Sequence, residues 1–466
     1  MPSRPLACVI LAAGEGTRMK SDIPKPLHEV CGKPMICHVL DVTAELEPER
    51  TVVVVGVGAD RLREAIGDRA VTCEQPEQLG TGHATICAEP ALEGFDGDVL
   101  VTYGDIPLVT RETLGGLVRR HREQGASATV LTTKVDDPTG YGRIIRDATD
   151  AVSGIVEHRD ATDEQLAIRE INTGIYVFEA QSLSAALQEI SPDNVQGELY
   201  LTDAIGVLVA YGRPVAGMMV EDSAQTMGVN DRVQLAEAER IARDRIREHL
   251  MREGVTLIDP PSIFIDAGVT VGRDTVIGPG SHLLGETTVG ERCEIRGHVT
   301  LRSATIGDGV LLRDHTTVEE SSVGHESQIG PFSLIRGNSE VGAECKVGSS
   351  AEMNRSHLGD GSKMQHFSYL GDTTVGKGVN IGAGAVTCNY DGCEKHCTKI
   401  EDSAFIGSDV ILIAPITIGE NAYAGAGSVL TRDVAAGTLA LERTEQRVVE
   451  DWHERMRKRR EGLGKQ

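Results

Sequence analysis

Short apolar runs alternate with stretches of helical spacing over residues 6–230. Four of these runs predict β-strands: ACVILAA (7–13), TVVVVGV (51–57), DVLVTYGD (98–105) and ASATVLTTKV (126–135). Because polar residues do not alternate with the apolar ones, we expect both faces of each strand to be covered. The pattern predicts an α/β domain with a Rossmann-like, mostly parallel sheet over residues 1–230.

The segment 231–254 has a different composition, dominated by Ala, Glu, Arg and Leu. Its apolar positions fall roughly on one stripe, which comprises Val233, Ala236, Ile241, Ile246 and Leu250. The glycine at position 254 is a typical helix ending. We therefore expect a single long helix that links two domains.

Beyond this segment the apolar residues recur every six positions, with occasional five-residue steps. The recurring positions are Val271, Ile277, Leu283, Val289, Ile295, Leu301, Ile306, Leu312, Val318, Val323, Ile329, Ile335, Val341, Val347, Met353, Leu358, Met364, Leu370, Val375, Ile381, Thr387, Ile400, Ile406, Leu412, Ile418, Ala424 and Leu430. This period is neither helical nor that of a simple strand, and it predicts a hexapeptide β-helix whose recurring residues point inward. We expect a left-handed β-helix over residues 255–440 and a helical tail over residues 441–466.

The sequence CNYDGCEKHCTK (388–399) interrupts the hexads, so it must leave the prism as a loop. Loops on a rigid scaffold often carry function. Cys388, Cys393 and Cys397 cluster there beside His396, which leaves a metal site open as an alternative, although the spacing is not a paired CxxC pattern.

Length and charge narrow the class of protein. The chain has 466 residues and a formal net charge of −24. The length predicts two or three domains, and the charge argues against a nucleic-acid partner, which requires a cationic field. A small nucleotide can still bind through local cations, backbone amides and a metal. The basic run RMRKRR (455–460) is interpreted as a solvated helix end.

The sequence shows neither a secretory signal nor an apolar stretch of about 18 residues that could span a bilayer. The ten cysteines are scattered, as expected in a reducing compartment. These features predict a cytoplasmic protein without a membrane partner.

The first predicted strand leads into LAAGEGTRMKSDIPKPL (11–27). Gly14 and Gly16 let the backbone approach a ligand closely, and successive free N–H groups form an anion-binding concavity. Arg18 and Lys25 add positive charge where a triphosphate would lie. Glycines, Arg and Lys at these offsets after a strand predict a nucleotide site.

Further motifs agree with that site: EQLGTGHA (77–84), YGDIPL (103–108), DDPTGYGRI (136–144), GIVEH (154–158), EINTGIY (170–176) and MGVND (227–231). Together with the hexads they resemble the bifunctional N-acetylglucosamine-1-phosphate uridyltransferase/glucosamine-1-phosphate acetyltransferase family. The resemblance covers nearly the whole chain. It implies acetylation of glucosamine 1-phosphate with acetyl-CoA, then coupling to UTP to form a nucleotide sugar for cell-envelope polysaccharides.

The resemblance also implies the residues of the uridyltransferase site. Its nucleotide and sugar contacts are Leu11, Ala12, Ala13, Gly14, Lys25, Gln75, Gly80, Thr81, Tyr103, Gly104, Asp105, Gly142, Glu157, Asn172 and Asn230. Arg18 and Lys25 would act in catalysis, and Asp105 and Asn230 would hold Mg²⁺. Because a sugar phosphate oxygen attacks the α-phosphorus of UTP directly, positioning and charge neutralisation can carry most of the catalysis.

For the β-helix the resemblance implies a general base, His366, and we hypothesise that Glu352 orients its imidazole. Sugar phosphate would contact Arg336, Asn354, Tyr369 and Asn380, and acetyl-CoA would contact Ala383, Asn389, Tyr390, Ser408, Ala426 and Arg443. The resemblance further implies a homotrimer with acetyltransferase sites between neighbouring prisms.

The sequence departs from the family pattern at two positions. Asn354 stands where the family usually has a Lys that contacts the sugar phosphate, and Gln365 stands where it has a Gly. Losing a cation should weaken phosphate binding unless Arg355 or Arg336 replaces it. A second hypothesis therefore keeps only the nucleotidyltransferase, with the β-helix as a trimerisation or regulatory module. A third, a catalytically dead scaffold, is opposed by the intact nucleotide motifs.

Overall fold

The structure, a computed structural model, describes residues 4–56 and 58–463. Val57, which ends the second predicted strand, residues 1–3 of the first predicted domain and residues 464–466 of the predicted tail lie outside the described residues. The chain divides into two compact units. The first runs to Glu248 and includes Ile265–Gly268, and the second comprises His249–Phe264 and the chain from Val269 onward.

The first unit contains eleven described strands, seven complete helices and most of an eighth, α8, which continues beyond Glu248. The strands are β1 Leu6–Ala12, β2 Glu29–Val30, β3 Lys33–Pro34, β4 Arg50–Val55, β5 Val71–Glu74, β6 Asp98–Tyr103, β7 Ala128–Lys134, β8 Arg143–Arg146, β9 Val152–Val156, β10 Glu170–Glu179 and β11 Val215–Met219. The helices are α1 Met35–Ala44, α2 Ala59–Ile66, α3 Thr81–Ala88, α4 Arg111–Gln124, α5 Asp163–Leu166, α6 Ala180–Leu187, α7 Leu201–Ala210 and α8 Arg232–Arg252. Short 3₁₀ turns lie at Thr17–Met19, Lys25–Leu27, Gly67–Arg69, Glu89–Leu92 and Ser223–Thr226.

The main sheet of this unit confirms the predicted α/β class. Its strand order is β11-β7-β10-β6-β1-β4-β5, with β8 and β9 attached at β10. Only β10 runs antiparallel to its neighbours β6 and β7 within this order. All seven residues of β1 are buried. Val9 packs into the core on one face and Ile10 into the core on the other, which is why this strand lacks polar alternation.

Helix α8 packs through the later part of the stripe we expected, since Ile241 and Ile246 contact the core of the first unit and Leu250 is buried, but the start of the stripe does not. Leu235, Ala238 and Ile241 join a core that also contains Met35. Val233, in contrast, is 79% exposed, and the predicted Ala236 is exposed as well. The helical period was correct, but its phase depends on the surface it covers.

The second unit is built from short strands. They are β12 Thr256–Leu257, β13 Phe264–Ile265, β14 Thr270–Val271, β15 Val276–Ile277, β16 His282–Leu284, β17 Thr288–Val289, β18 Glu294–Ile295, β19 Thr300–Arg302, β20 Thr305–Ile306, β21 Leu311–Leu312, β22 Thr317–Glu319, β23 Ser322–Val323, β24 Gln328–Ile329, β25 Leu334–Arg336, β26 Glu340–Val341, β27 Lys346–Val347, β28 Glu352–Asn354, β29 His357–Leu358, β30 Lys363–Met364, β31 Tyr369–Gly371, β32 Thr373–Val375, β33 Asn380–Ile381, β34 Val386–Cys388, β35 Thr398–Ile400, β36 Phe405–Ile406, β37 Ile411–Ile413, β38 Ile416–Ile418, β39 Tyr423–Ala424, β40 Val429–Leu430 and β41 Leu439–Ala440. A 3₁₀ turn lies at Pro260–Ser262.

These strands form three sheets of eleven, ten and nine strands, in which each strand generally pairs with the strand three places further along. All the recurring positions of the hexad pattern are buried except the first, Val271, which is half-buried. In the column Leu312, Ile329 and Val347, for example, each side chain stacks in register on the next coil. The predicted β-helix is therefore confirmed.

Two segments leave this regular pattern. Between β34 and β35 the chain forms a hairpin with a bridge between Tyr390 and Lys395. After β41, residues 441–451 have no regular structure, and helix α9, Trp452–Leu463, follows with no buried residue. Each helix within the described ranges is too short or too polar to cross a membrane.

Candidate functional site

The glycine-rich turn after β1 borders a cavity of about 320 Å³ in the first unit. The residues that line it are Leu11, Ala12, Ala13, Gly14, Lys25, Pro26, Gln75, Gln78, Gly80, Thr81, Ala84, Tyr103, Asp105, Glu198 and Asn230. Most of the nucleotide and sugar residues implied by the resemblance therefore meet in one place. They converge because β1 and β6 are parallel neighbours whose carboxyl ends share one edge of the sheet.

The predicted cations and metal ligands contact one another at this cavity. Lys25 Nζ donates hydrogen bonds to Asp105 Oδ2 and, at 3.2 Å, to Asn230 Oδ1. Arg18 Nη2 donates to the same Asn230 oxygen at 2.9 Å. Asn230 Nδ2 is held by the Gly228 carbonyl, so the oxygen faces the cations. Four residues from three separate motifs thus form one polar cluster.

The oxygen atoms of this cluster suit a magnesium ion. Asp105 Oδ2 and Asn230 Oδ1 already converge on a single cationic atom, Lys25 Nζ. Mg²⁺ prefers hard oxygen ligands and usually takes only one or two side chains, because phosphates and water supply the rest. The two residues therefore fit the ion.

Backbone conformation explains two of the glycines. Gly16 has φ of +63°, and a Cβ there would lie 2.6 Å from Lys25 Cβ. Gly80 has φ of +104°, and its Cβ would lie 2.5 Å from the Leu199 carbonyl oxygen. A side chain at either position would displace a segment that lines the cavity.

Tyr103 connects the cavity to the remaining predicted residues. Burial, with further contributions from the carboxylates Glu157 and Asp105, raises the pKa of the Tyr103 hydroxyl well above its ordinary value. This hydroxyl therefore stays protonated. Burial also raises the pKa of Glu157, although the Thr202 hydroxyl donates to its carboxylate at 3.0 Å and opposes the shift.

Gly142, Glu157 and Asn172 form a small group of their own. The backbone N–H of Asn172 donates to the Gly142 carbonyl at 2.9 Å. A Cβ on Gly142 would lie 3.5 Å from both Asn172 Cβ and Glu157 Oε1. Gly104 is separate from this group, because a Cβ there would lie 2.7 Å from Ile36 Cδ1 and 3.2 Å from Ala12 Cβ. These four positions are not among the residues that line the cavity.

The cavity also contains residues that we did not single out from the sequence. Pro26, Gln78 and Ala84 lie inside motifs quoted above, and Gln78 Nε2 donates to the Ala13 carbonyl at 3.3 Å. Glu198 had no sequence signal. It reaches the cavity because Leu199 pairs with Leu79 through a backbone hydrogen bond of 2.8 Å, a contact between segments far apart in the chain.

On the β-helix, three of the four predicted sugar-phosphate residues, Arg336, Asn354 and Tyr369, lie on strands of one sheet. Glu352 stacks on Tyr369, and Arg336 stacks on Asn354, in register between adjacent coils. Arg336 donates to Glu352 Oε1 from Nε at 3.0 Å and from Nη2 at 2.7 Å. Asn380 lies on a different sheet, at the start of β33.

The expected partnership of Glu352 with His366 differs from what the structure shows. The Glu352 carboxylate accepts from Arg336, and the described part of the chain has no hydrogen bond between Glu352 and His366. The register explains this, because Arg336 and Glu352 lie on neighbouring strands of one sheet. His366 is exposed at a corner before β31, with φ of +62°.

The positions implied for acetyl-CoA fall into two groups. Ala383, Ser408 and Ala426 stack at one corner of successive coils, where Asp409 N donates to Ala383 O at 2.7 Å and Gly427 N donates to Ser408 O at 2.8 Å. Asn389 and Tyr390 lie on the hairpin. Arg443 is exposed beyond β41, and no hydrogen bond joins it to the other positions in the described ranges.

The alternative of a metal site among the hairpin cysteines receives no support. In residues 4–56 and 58–463, no group of three or more His, Cys, Asp or Glu side chains is arranged to hold a metal ion. Cys388, Cys393 and Cys397 are free thiols.

Comparisons with known proteins match both units. The family model of a MobA-like NTP transferase domain matches residues 8–168. That of a bacterial transferase hexapeptide with six repeats matches residues 268–303. A curated relative from Heliobacterium modesticaldum, named "Bifunctional protein GlmU", is 48% identical over 444 residues, which cover 95% of this chain and 97% of the relative. This chain belongs to the GlmU family.

Other GlmU proteins show similar agreement. The protein from Geobacillus thermodenitrificans is 47% identical over 96% of this chain and 98% of its own length. That from Corynebacterium efficiens is 45% identical over 97% of this chain and 94% of its own length. The resemblance drawn from the motifs is confirmed, and with it a bifunctional transferase that combines a nucleotidyltransferase with a left-handed β-helix acetyltransferase.

Proposed function

We propose that the cavity of the first unit binds UTP and N-acetylglucosamine 1-phosphate with Mg²⁺, and that the β-helix binds glucosamine 1-phosphate and acetyl-CoA. The observation that carries the first part is the convergence of Arg18, Lys25, Asp105 and Asn230 beside the glycine-rich turn. Asp105 and Asn230 hold the ion, which when bound neutralises phosphate charge.

The side chains of this chain supply the rest of the uridyltransferase chemistry. Arg18 and Lys25 neutralise the phosphates and the departing pyrophosphate, while backbone amides near Gly14 contact phosphate oxygens. Since Asp105 also holds Lys25, the ammonium is positioned before the substrate arrives. Tyr103, which stays protonated, donates a hydrogen bond within the sugar-nucleotide part of the cavity.

A pair of variants tests the uridyltransferase site. Asp105→Ala should abolish Mg²⁺-dependent pyrophosphate release, because it removes the carboxylate that contacts Lys25 in the cavity and would hold the ion. Asp68→Ala, which changes an exposed carboxylate in the same unit, should leave release unchanged. Normal release by Asp105→Ala would refute the assignment. A matrix of several nucleoside triphosphates against several hexose 1-phosphates then tests the preference for UTP.

In the acetyltransferase half, His366 removes a proton from the ammonium of glucosamine 1-phosphate, so that the amine can attack the thioester. Arg336, Tyr369 and Asn380 bind its phosphate. The imidazole of His366 makes no hydrogen bond within the described part of the chain. This supports the homotrimer as part of the proposal, since a neighbouring copy can complete the site.

One feature favours the second candidate, a nucleotidyltransferase with a structural β-helix. Asn354 is uncharged, and each nearby guanidinium is already paired, Arg336 with Glu352 and Arg355 with Asp372. Transfer of radioactive acetyl from acetyl-CoA by the full chain decides between the two. Absence of transfer at high glucosamine 1-phosphate would establish the structural role. Because UTP and acetyl-CoA are intracellular metabolites, the proposal keeps the cytoplasmic location.

A further inference from the structure

Two cysteines flank the base of the hairpin that interrupts the β-helix. Cys388 is the last residue of β34, and Cys397 directly precedes β35. In the preceding coil a single residue, Asp372, separates the corresponding strands β31 and β32. The hairpin therefore replaces one corner residue, and its two ends must lie close together.

Hydrogen bonds show that both ends meet at that corner. Thr398 N donates to the Asp372 carbonyl at 3.2 Å, and Asn389 Nδ2 donates to the Asp372 carboxylate. The two chain segments that contact Asp372 form a narrow base of the hairpin, which we call its neck. Cys388 lies on the segment that enters the hairpin, and Cys397 lies on the segment that leaves it.

The register of the hairpin places the two cysteines opposite each other. Tyr390 is bridged to Lys395, Asp391 N donates to Glu394 O at 3.2 Å, and His396 N donates to Asn389 O at 2.8 Å. This pattern makes Tyr390 and Lys395 a non-hydrogen-bonded pair. Extending this register by two residues toward the neck would bring Cys388 opposite Cys397 in the next such pair. Cα atoms in such pairs are about 4.5 Å apart, within the range of about 4.4–6.8 Å found for disulfides.

Burial makes six of the cysteines outside the hairpin less able to react. Burial raises the pKa of Cys8 and Cys31 to about 12. It also raises the pKa of Cys73, Cys87, Cys293 and Cys345. Since the thiolate is the reactive form, these thiols react slowly. Cys397 is exposed, and Cys388 is half-buried.

We propose that Cys388 and Cys397 form a reversible thiol–disulfide modification site at the neck of the hairpin. The Cys397 thiolate attacks a low-molecular-weight disulfide, forms a mixed disulfide and releases one thiolate. The Cys388 thiolate then attacks the Cys397 sulfur and releases the second thiolate. The two protons from the cysteines pass to the two released thiols, so the small disulfide is reduced and the protein pair is oxidised.

The consequence for activity rests on the proposed function and on the acetyl-CoA contacts that the family resemblance implies for Asn389 and Tyr390. Disulfide-linked Cα atoms most often lie about 5.5–6 Å apart, so we expect the bond to shift the two sides of the neck toward that separation, by roughly 1 Å. Asn389 directly follows Cys388 and donates to Asp372, so this shift should disturb that contact. A misplacement of about 1 Å can cost roughly 100-fold in rate. Acetyl transfer should therefore fall at least tenfold on oxidation, while uridyl transfer is unchanged.

The test treats the full chain with oxidised glutathione, alkylates the remaining thiols and maps the peptides by mass spectrometry. We expect an internal link between Cys388 and Cys397 that a dithiol reverses. Cys388→Ser and Cys397→Ser should lose the link, whereas Cys393→Ser, at an exposed thiol of the same hairpin, should retain it. A predominant Cys73–Cys87 link, a persistent glutathione adduct at Cys397, or free Cys388 and Cys397 would overturn the pairing.

Acetyl transfer is measured on the same samples. It should fall on oxidation of the wild type and of Cys393→Ser, and stay constant in Cys397→Ser, which lacks the thiol that attacks first. A complete link without any loss of transfer would overturn the effect on activity. If the reduced wild type transfers no acetyl group, the proposed acetyltransferase fails, but the peptide map still decides whether the thiol pair exists.

Discussion

Replacing Gly80 with Ala should impair the uridyltransferase through the loop that follows α6. Gly80 has φ of +104°, and an added Cβ would lie 2.5 Å from the Leu199 carbonyl oxygen and 3.0 Å from Glu198 Cβ. A residue held in this region costs about 1–3 kcal/mol. The displaced loop would also lose the hydrogen bonds Gly82 N to Leu199 O (2.7 Å) and Leu199 N to Leu79 O (2.8 Å).

If the loop moves away from the cavity, the contact with the added Cβ is relieved, but Glu198 leaves the lining and each lost hydrogen bond costs about 0.5–1.5 kcal/mol. Together with the backbone strain at position 80, the total penalty is about 2–6 kcal/mol. Part of the binding free energy of the substrate must then be used to return this loop to its position at the cavity. At about 1.4 kcal/mol per factor of ten, kcat/KM for UTP should fall at least about 30-fold.

The assay is pyrophosphate release over a range of UTP concentrations, with acetyl transfer as an internal measure of intact protein. Gly67→Ala is the matched control, because Gly67 also has a positive φ, +57°, but its added Cβ would meet no atom within 4 Å. Gly67→Ala should keep kcat/KM within about twofold, since a surface change away from the site has little effect. A wild-type kcat/KM in Gly80→Ala would refute the claim that this contact shapes the cavity.

Two further predictions concern stability. Ile329→Ala should lower the free energy of unfolding by about 2–5 kcal/mol, because Ile329 is fully buried between Leu312 and Val347; urea denaturation of this variant and of the outward-facing neighbour variant Gln328→Ala checks it, and equal losses would contradict an inward core. Burial raises the pKa of Glu170, but it is outweighed by hydrogen bonds from Arg146, at 2.9 and 2.7 Å, and from Thr132, together with the positive charges of Arg146 and Lys134. The pKa of Glu170 therefore lies below the ordinary value. The stabilisation is therefore present above the ordinary pKa of Glu and lost as the pH falls through the lowered pKa. Glu170→Gln should be less stable than wild type by about 1–3 kcal/mol at pH 7, with the difference shrinking on acidification in urea titrations; a difference independent of pH would show that the charge is not involved.

Periodic features of this protein could be predicted because their physical cause is local. In the hexad pattern, each short strand must bury one apolar side chain inside the coil. The pattern therefore identified inward positions such as Ile295 and Leu370. The uninterrupted apolar run around Val9 likewise indicated a strand covered on both faces. The glycine-rich turn placed Gly14 and Lys25 near each other within a short segment.

The phase of helix α8 shows where local reasoning ends. Its period was readable, but Leu235 and Ala238 rather than Val233 face the core, because the buried face depends on which surface the helix meets. Glu198 had no signal for a similar reason. Its position depends on the pairing of Leu199 with Leu79, residues that are distant in sequence.

The sequence by itself determined the two architectures, the sugar-nucleotide motifs and the place where the β-helix is interrupted, because each is encoded in neighbouring residues. Only the tertiary structure decided which side chains pair. It joined Lys25 to Asp105, Arg336 to Glu352 and the two arms of the hairpin to Asp372. Such pairings depend on strand register and on the path of the chain. These bring together side chains that are far apart in the sequence, so no local pattern indicates that they are in contact.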